Sequence, residues 1–226
     1  MYAAKNETRN EPELMDVTDL RDLAGLTAGL EKRIKENPRD ARAAVMLGNA
    51  YYLNGRVSLA VKAFEQAIEV NSDVALPYYY LGICHYRAAR LGDAETSLEK
   101  AIKLDRSFMM AHYWLGVVTY HQGKYQKARD AFETICNESD ETAIAHYHAA
   151  LACRALGNWD CARKHLEILA KKNPKDTRVQ LYLSRAYRLL NRPIEAMASL
   201  RRGLELSPDD ATMKEELSEL TDVSNP

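Results

Sequence analysis

The feature that most constrains this chain is a recurrence at 34 residues. Small residues fall at Gly48, Gly82, Gly116, Ala150 and Ser184, each preceded by Leu47, Leu81, Leu115, Ala149 or Leu183. Twelve residues after each small position stands an alanine, at Ala60, Ala94, Ala128, Ala162 and Ala196. Four further on come Phe64, Leu98, Phe132, Leu166 and Leu200. Each unit therefore carries two apolar stripes at helical spacing. Between the stripes, Gly55, Ala89, Gly123, Gly157 and Asn191 mark the turn; glycine and asparagine tolerate the left-handed conformation that ends a helix. Between units, Asn37-Pro38, Asn71-Ser72-Asp73, Asn173-Pro174 and Ser207-Pro208-Asp209 stop one helix and start the next. The pattern predicts helix, turn, helix, five times over, with the small residues letting antiparallel helices approach closely.

In this register the chain resembles the tetratricopeptide repeat family, whose 34-residue unit has a small residue at position 8, alanine at 20 and an aromatic or leucine at 24. The units run 41–74, 75–108, 109–142, 143–176 and 177–210 without an insertion. Ile135, Leu169 and Gly203 depart from the alanine expected at position 27, and Ser72, Arg106 and Asp140 from the proline at 32. The resemblance implies an all-α superhelical solenoid of antiparallel helix pairs. Residues 17–226 are expected to form one domain, with capping helices at 17–37 and 211–223 that cover the apolar faces of the end repeats. Residues 1–16 are expected to be a polar, disordered segment.

Composition narrows the function. With 31 Lys and Arg against 32 Asp and Glu, the net charge of −1 argues against wholesale binding to nucleic acid or an anionic membrane. No apolar run reaches the length of a membrane helix, so no insertion is expected. The N-terminus lacks a basic region followed by an apolar core, which points to the cytoplasm, or to the periplasm or envelope if a signal was removed.

In the tetratricopeptide family the first helix of each unit lines the concave surface through positions 2, 5, 9 and 12. Those positions contain no Asp or Glu and include five arginines, four of them in the last two units: Arg154, Arg178, Arg185 and Arg188. They also include two rows of tyrosine, Tyr52, Tyr86 and Tyr120, and Tyr79, Tyr113 and Tyr147, together with Asn49 and Met110. Tyrosine and arginine are enriched at interface hot spots. A row of tyrosines suits a half-wet surface, where the ring packs and the hydroxyl stays solvated. The resemblance thus implies a non-catalytic scaffold or adaptor that binds a protein or peptide bearing apolar and acidic residues. The competing expectation is that the tyrosines stack between repeats and the arginines pair with local acids such as Glu195. A second function is self-assembly into a larger scaffold, as in a bacterial organelle, pilus or secretion apparatus. Val45 and Tyr79 occupy positions where the carboxylate clamp of chaperone-binding members needs polar or basic residues.

Signatures of chemistry are absent: there is no Gly-rich phosphate loop, Gly-x-Ser-x-Gly elbow or His-Glu-x-x-His. No catalytic residue, metal or cofactor is expected. Cys153, Cys161 and His165 have zinc-compatible chemistry, but packing of free cysteines as small apolar residues is preferred. His112, His146 and His148 are read as packing residues, and Cys84 and Cys136, without assignable partners, fit a reducing compartment.

Overall fold

A computed structural model describes residues 23–138 and 142–223. Among the described residues there are twelve helices and no strand. The expected segment 1–16 and the first part of the N-terminal cap, 17–22, lie outside them.

The chain divides into two compact units between Val70 and Asn71, near the end of the first repeat. The first contains α1 (Leu23–Glu36), α2 (Ala41–Leu53) and α3 (Val57–Val70). Asp40 caps α2 by accepting from the Ala43 amide at 2.9 Å, which satisfies one of the orphan donors of a helix start. Tyr51 donates to Glu31 at 2.6 Å, tying α2 to the capping helix α1.

The second unit contains the paired helices α4 (Ala75–Arg87) and α5 (Leu91–Leu104), α6 (Met109–His121) and α7 (Tyr125–Glu138), α8 (Ala143–Ala155) and α9 (Trp159–Lys172), α10 (Thr177–Leu189) and α11 (Pro193–Leu206), then α12 (Ala211–Val223). Helix starts at 75, 109, 143, 177 and 211 reproduce the 34-residue interval.

The small residues set how closely the helices of a pair approach. A methyl added at Gly48 would meet the Phe64 ring at 2.5 Å, at Gly82 the Leu98 side chain at 2.7 Å, and at Gly116 the Phe132 ring at 2.6 Å. Those partners are the position-24 residues, and Phe64, Leu98 and Phe132 are all buried. At the C-terminal end, Gly203 stands where alanine is expected and makes room for Met213 of α12, whose sulfur lies 2.5 Å from the point an added Cβ would occupy. Met213 is buried, so α12 covers the last repeat as a capping helix must.

Every turn inside a pair closes in the same way. Arg56, Arg90, Lys124, Asn158 and Arg192 donate their amides at 2.8–2.9 Å to the carbonyls of Tyr51, His85, Thr119, Cys153 and Tyr187, five residues back. This is the Schellman bond, which requires a left-handed residue between. Gly55, Gly123 and Gly157 take it at φ 74°, 76° and 70°, and Ala89 and Asn191 at 57°. Ala89 holds a conformation that crowds its Cβ against the backbone. Replacing Ala89 with glycine is expected to stabilise the protein by about 1 kcal/mol, because relief of that crowding outweighs the added chain entropy. Denaturant midpoints of Ala89→Gly and the natural chain measure this, and a lowered midpoint contradicts it.

Candidate peptide-binding cavity

The first helices of the second unit bring the tyrosines into aromatic company. Tyr86 packs on Trp114 with ring centroids 5.4 Å apart, and Tyr113 meets Trp114 at 6.0 Å and His148 at 5.5 Å. The Tyr113 hydroxyl lies 3.1 Å from His148 Nε2. Tyr147 faces Tyr182 at 6.4 Å. Tyr120 packs within its own repeat, edge-on against Tyr125 with ring centroids 5.3 Å apart. The inter-repeat partners Trp114, His148 and Tyr182 are one set, position 6 of successive units, and together with Tyr80 they recur at 34 residues. Reading only positions 2, 5, 9 and 12 misses this row, although its periodicity is visible in the sequence.

Burial divides the predicted residues. Tyr86, Tyr113, Tyr120 and Tyr147 are half-buried, and Met110 is exposed. Tyr79 departs from the half-wet expectation: it is buried beneath the rings of Phe108, at 4.9 Å, and Tyr80, at 5.1 Å. In the first unit, Asn49 and Tyr52 of α2 are half-buried. Burial, and next the neighbouring Tyr182, raise the Tyr147 pKa; burial, and next Tyr86, raise that of Tyr113. Both hydroxyls therefore stay protonated at neutral pH.

The arginines separate by partner. Arg185 reaches Glu216 of α12 with Nε at 2.8 Å and Nη2 at 2.7 Å. Arg188 pairs with Glu219 at 3.2 Å, and Arg178 with Asp176, the N-cap of its own helix, at 3.1 Å. Glu195 instead pairs with Arg192, which corrects the expectation that it serves these arginines; Arg192 is three residues away on the same turn. Arg154 differs from the other three. Its guanidinium sits 5.4 Å over the Tyr182 ring, and among the described residues no carboxylate lies within ion-pair distance of it.

Of these groups, Tyr147, Tyr182, Arg154, Arg185 and Arg188 line a cavity of about 370 Å³ formed by α8, α9 and α10, whereas Tyr79, Tyr86, Tyr113, Tyr120 and Arg178 lie outside it. Tyr147, Tyr182 and Trp159 wall it, Ala150, Ala162 and Ala186 leave its floor open, and Arg154, Arg185 and Arg188 stand at it. Trp159 is not singled out by the sequence pattern; it opens α9 directly after Asn158, whose side chain caps the helix by accepting from the Cys161 amide at 3.0 Å. Apolar walls with a few placed charges are the ordinary composition of a ligand site.

Cys153 of α8 and Cys161 of α9 form a disulfide. This corrects the expectation of two free packing cysteines: antiparallel α8 and α9 bring their Cα atoms to 5.7 Å, within disulfide reach. Cys84 and Cys136 are free and buried. His146 and His165 share a hydrogen bond between their Nδ1 atoms at 2.9 Å. Burial, then the Arg129 charge, lower the His165 pKa, so its ring is neutral at pH 7.

Helix pairs, turns and register together define a tetratricopeptide-repeat protein. The chain belongs to the family described as the cytochrome c-type biogenesis protein H TPR domain, which matches residues 8–143, and residues 147–211 match a tetratricopeptide repeat family. No curated protein matches the chain by sequence. Among solved structures it is similar to YrrB, described as a TPR protein with an unusual peptide-binding site, at 18% identity and a TM-score of 0.75, covering 84% of this chain and 98% of that one. It is also similar to a MamA structure at 25% identity and a TM-score of 0.65, covering 73% and 99%. MamA residues 41 to the end from Desulfovibrio magneticus RS-1 match at 18% identity and a TM-score of 0.66, covering 76% and 97%. Among the described residues no helix is long and apolar enough to cross a membrane.

The pairing pattern separates structural from available arginines. Arg185→Ala strands Glu216 and loosens α12, and is expected to cost about 1 kcal/mol, whereas Arg154→Ala should change stability by less than about 0.5 kcal/mol. Thermal unfolding of the two variants tests this; equal losses contradict it.

Proposed function

We propose that this protein is a non-catalytic interaction scaffold that holds a partner peptide or helix against the α8–α9–α10 cavity and the half-buried Tyr86, Tyr113 and Tyr120 of the two preceding repeats. The observation that carries the reading is Arg154: a cation with no carboxylate partner among the described residues, stacked over Tyr182 at the mouth of an aromatic cavity. An apolar or aromatic side chain fits between Tyr147, Tyr182 and Trp159, and an adjacent Asp or Glu meets Arg154 through the bidentate geometry that arginine offers a carboxylate. Arg185 and Arg188 are shared with Glu216 and Glu219, so they add less charge than the sequence suggests. Met110, Tyr86, Tyr113 and Tyr120 extend the surface along the neighbouring repeats. The peptide-binding site named for YrrB supports a peptide as the kind of ligand.

Self-association is the second reading, favoured by the exposed Leu189 and Ile194 at the C-terminal repeat, 53% and 74% accessible. For the compartment, the free thiols of Cys84 and Cys136 favour the cytoplasm, whereas the Cys153–Cys161 disulfide and the cytochrome c-type biogenesis family favour the periplasm or envelope.

Affinity capture from native lysate with the full chain, Arg154→Glu and Tyr182→Ala tests the binding reading. A partner retained by the natural chain should be lost from both variants with helix content unchanged, a weakening of roughly tenfold or more. Its retention should also fall as salt is raised. The same proteins on all three baits would overturn the assignment, and light scattering that shows only monomers at high concentration removes self-association.

A further inference from the structure

The seam between α7 and α9 holds donors for which the peptide-binding reading has no use. Glu133 of α7, Cys153 of α8, and Cys161 and His165 of α9 bring one ligand atom each to within 4.8 Å of one another. His165 Nε2 lies 3.7 Å from Glu133 Oε1, and Cys161 Sγ lies 3.9 Å from the same oxygen. Zinc bonds of about 2.0–2.3 Å arranged as a tetrahedron place ligand atoms about 3.3–3.8 Å apart. We propose that, with its two cysteines in the dithiol form, this protein binds one zinc ion through Glu133, Cys153, Cys161 and His165, in a closed structural site that ties α7 to α8 and α9.

The donor set of two thiolates, an imidazole and a carboxylate matches borderline-soft zinc better than the oxygen-seeking magnesium or calcium. The surroundings match as well. His165 has Nδ1 engaged by His146 at 2.9 Å, which orients the ring with Nε2 toward Glu133, as the outer partners of ligating histidines do. Arg129 Nε lies 3.5 Å from Glu133 Oε1 and offsets the net negative charge of zinc with two thiolates and a carboxylate. Cys153 is fully buried, whereas the Glu133 side chain is 35% accessible and gives the ion a way in.

Loading needs the disulfide opened. Two small thiols reduce it by exchange: the sulfur–sulfur bond breaks, two electrons and two protons pass to Cys153 and Cys161, and the small thiols leave as their disulfide. Zinc then displaces both thiol protons to solvent and takes the His165 Nε2 lone pair and a Glu133 oxygen. A neighbouring set, Cys136, His146 and His165, shares His165, but it offers three donors and requires the His146–His165 hydrogen bond to break.

Cobalt titration of the full chain, reduced with excess dithiol and desalted under nitrogen, tests the site. The expected result is one equivalent bound, with the visible bands of tetrahedral cobalt and near-ultraviolet thiolate charge transfer, both erased by one equivalent of zinc. Cys161→Ser should remove much of the charge-transfer intensity and Cys84→Ser none. Glu133→Gln, on a half-exposed side chain, serves as the variant least disturbing to the fold; it should weaken cobalt binding with the thiolate bands retained. His146→Gln should weaken it roughly 10–100-fold. Absence of thiolate charge transfer in the reduced chain overturns the proposal. So does a spectrum that survives Cys161→Ser unchanged and is lost in Cys136→Ser, which places the ion on the neighbouring set.

Discussion

The contact on which the structure depends is the close approach of the two helices in each repeat. Where position 8 is glycine, the facing Phe64, Leu98 or Phe132 fills the space a side chain would need. That contact packs one buried side chain closely against the facing helix and recurs at the same position of successive repeats. In the fourth repeat Ala150 takes the place of glycine and shares a buried cluster with Leu166, and both line the cavity together with Ala162 and Ala186.

Much of this was legible in the sequence. The interval of small residues, alanines and large apolar residues predicts every helix pair, and the left-handed turns fall at the five expected positions, including Ala89. Registers of this kind are readable because each helix needs only its neighbours in sequence to bury its stripe. The candidate site was less legible. Position 6 carries Trp114, His148 and Tyr182, which engage Tyr86, Tyr113 and Tyr147 of the preceding repeat, and a reading confined to one narrow helix face passes over them. Tyr79 looks equivalent to Tyr113 in the repeat, yet Phe108 covers it. The partners of Arg185 and Arg188 come from α12, about one repeat later in the chain, and no local spacing announces which acids will reach them. Nor does spacing place Glu133 and His146 beside His165, since they come from a different helix pair and the opposite helix.

Two side-chain clusters share the fourth repeat. Helix α8 supplies Arg154 to the cavity and Cys153 to the cluster with Glu133 and His165, and α9 supplies Trp159 and Cys161 in the same way. Arg154 follows Cys153 directly and Trp159 stands two residues before Cys161, and at about 100° per residue each pair points in different directions from its helix. Electrostatics reinforce the division. Arg185 and Arg188 at the cavity are already matched by acids of the same chain, whereas Arg154 has no such carboxylate among the described residues.

Selection of peptides from a random library on the immobilised full chain, with Arg154→Glu as the counter-bait, tests the central claim most directly. The account predicts that retained peptides share an aromatic or aliphatic residue beside Asp or Glu, and that they leave the Arg154→Glu protein. Retained peptides without an acidic residue, or with equal affinity for both proteins, would contradict it.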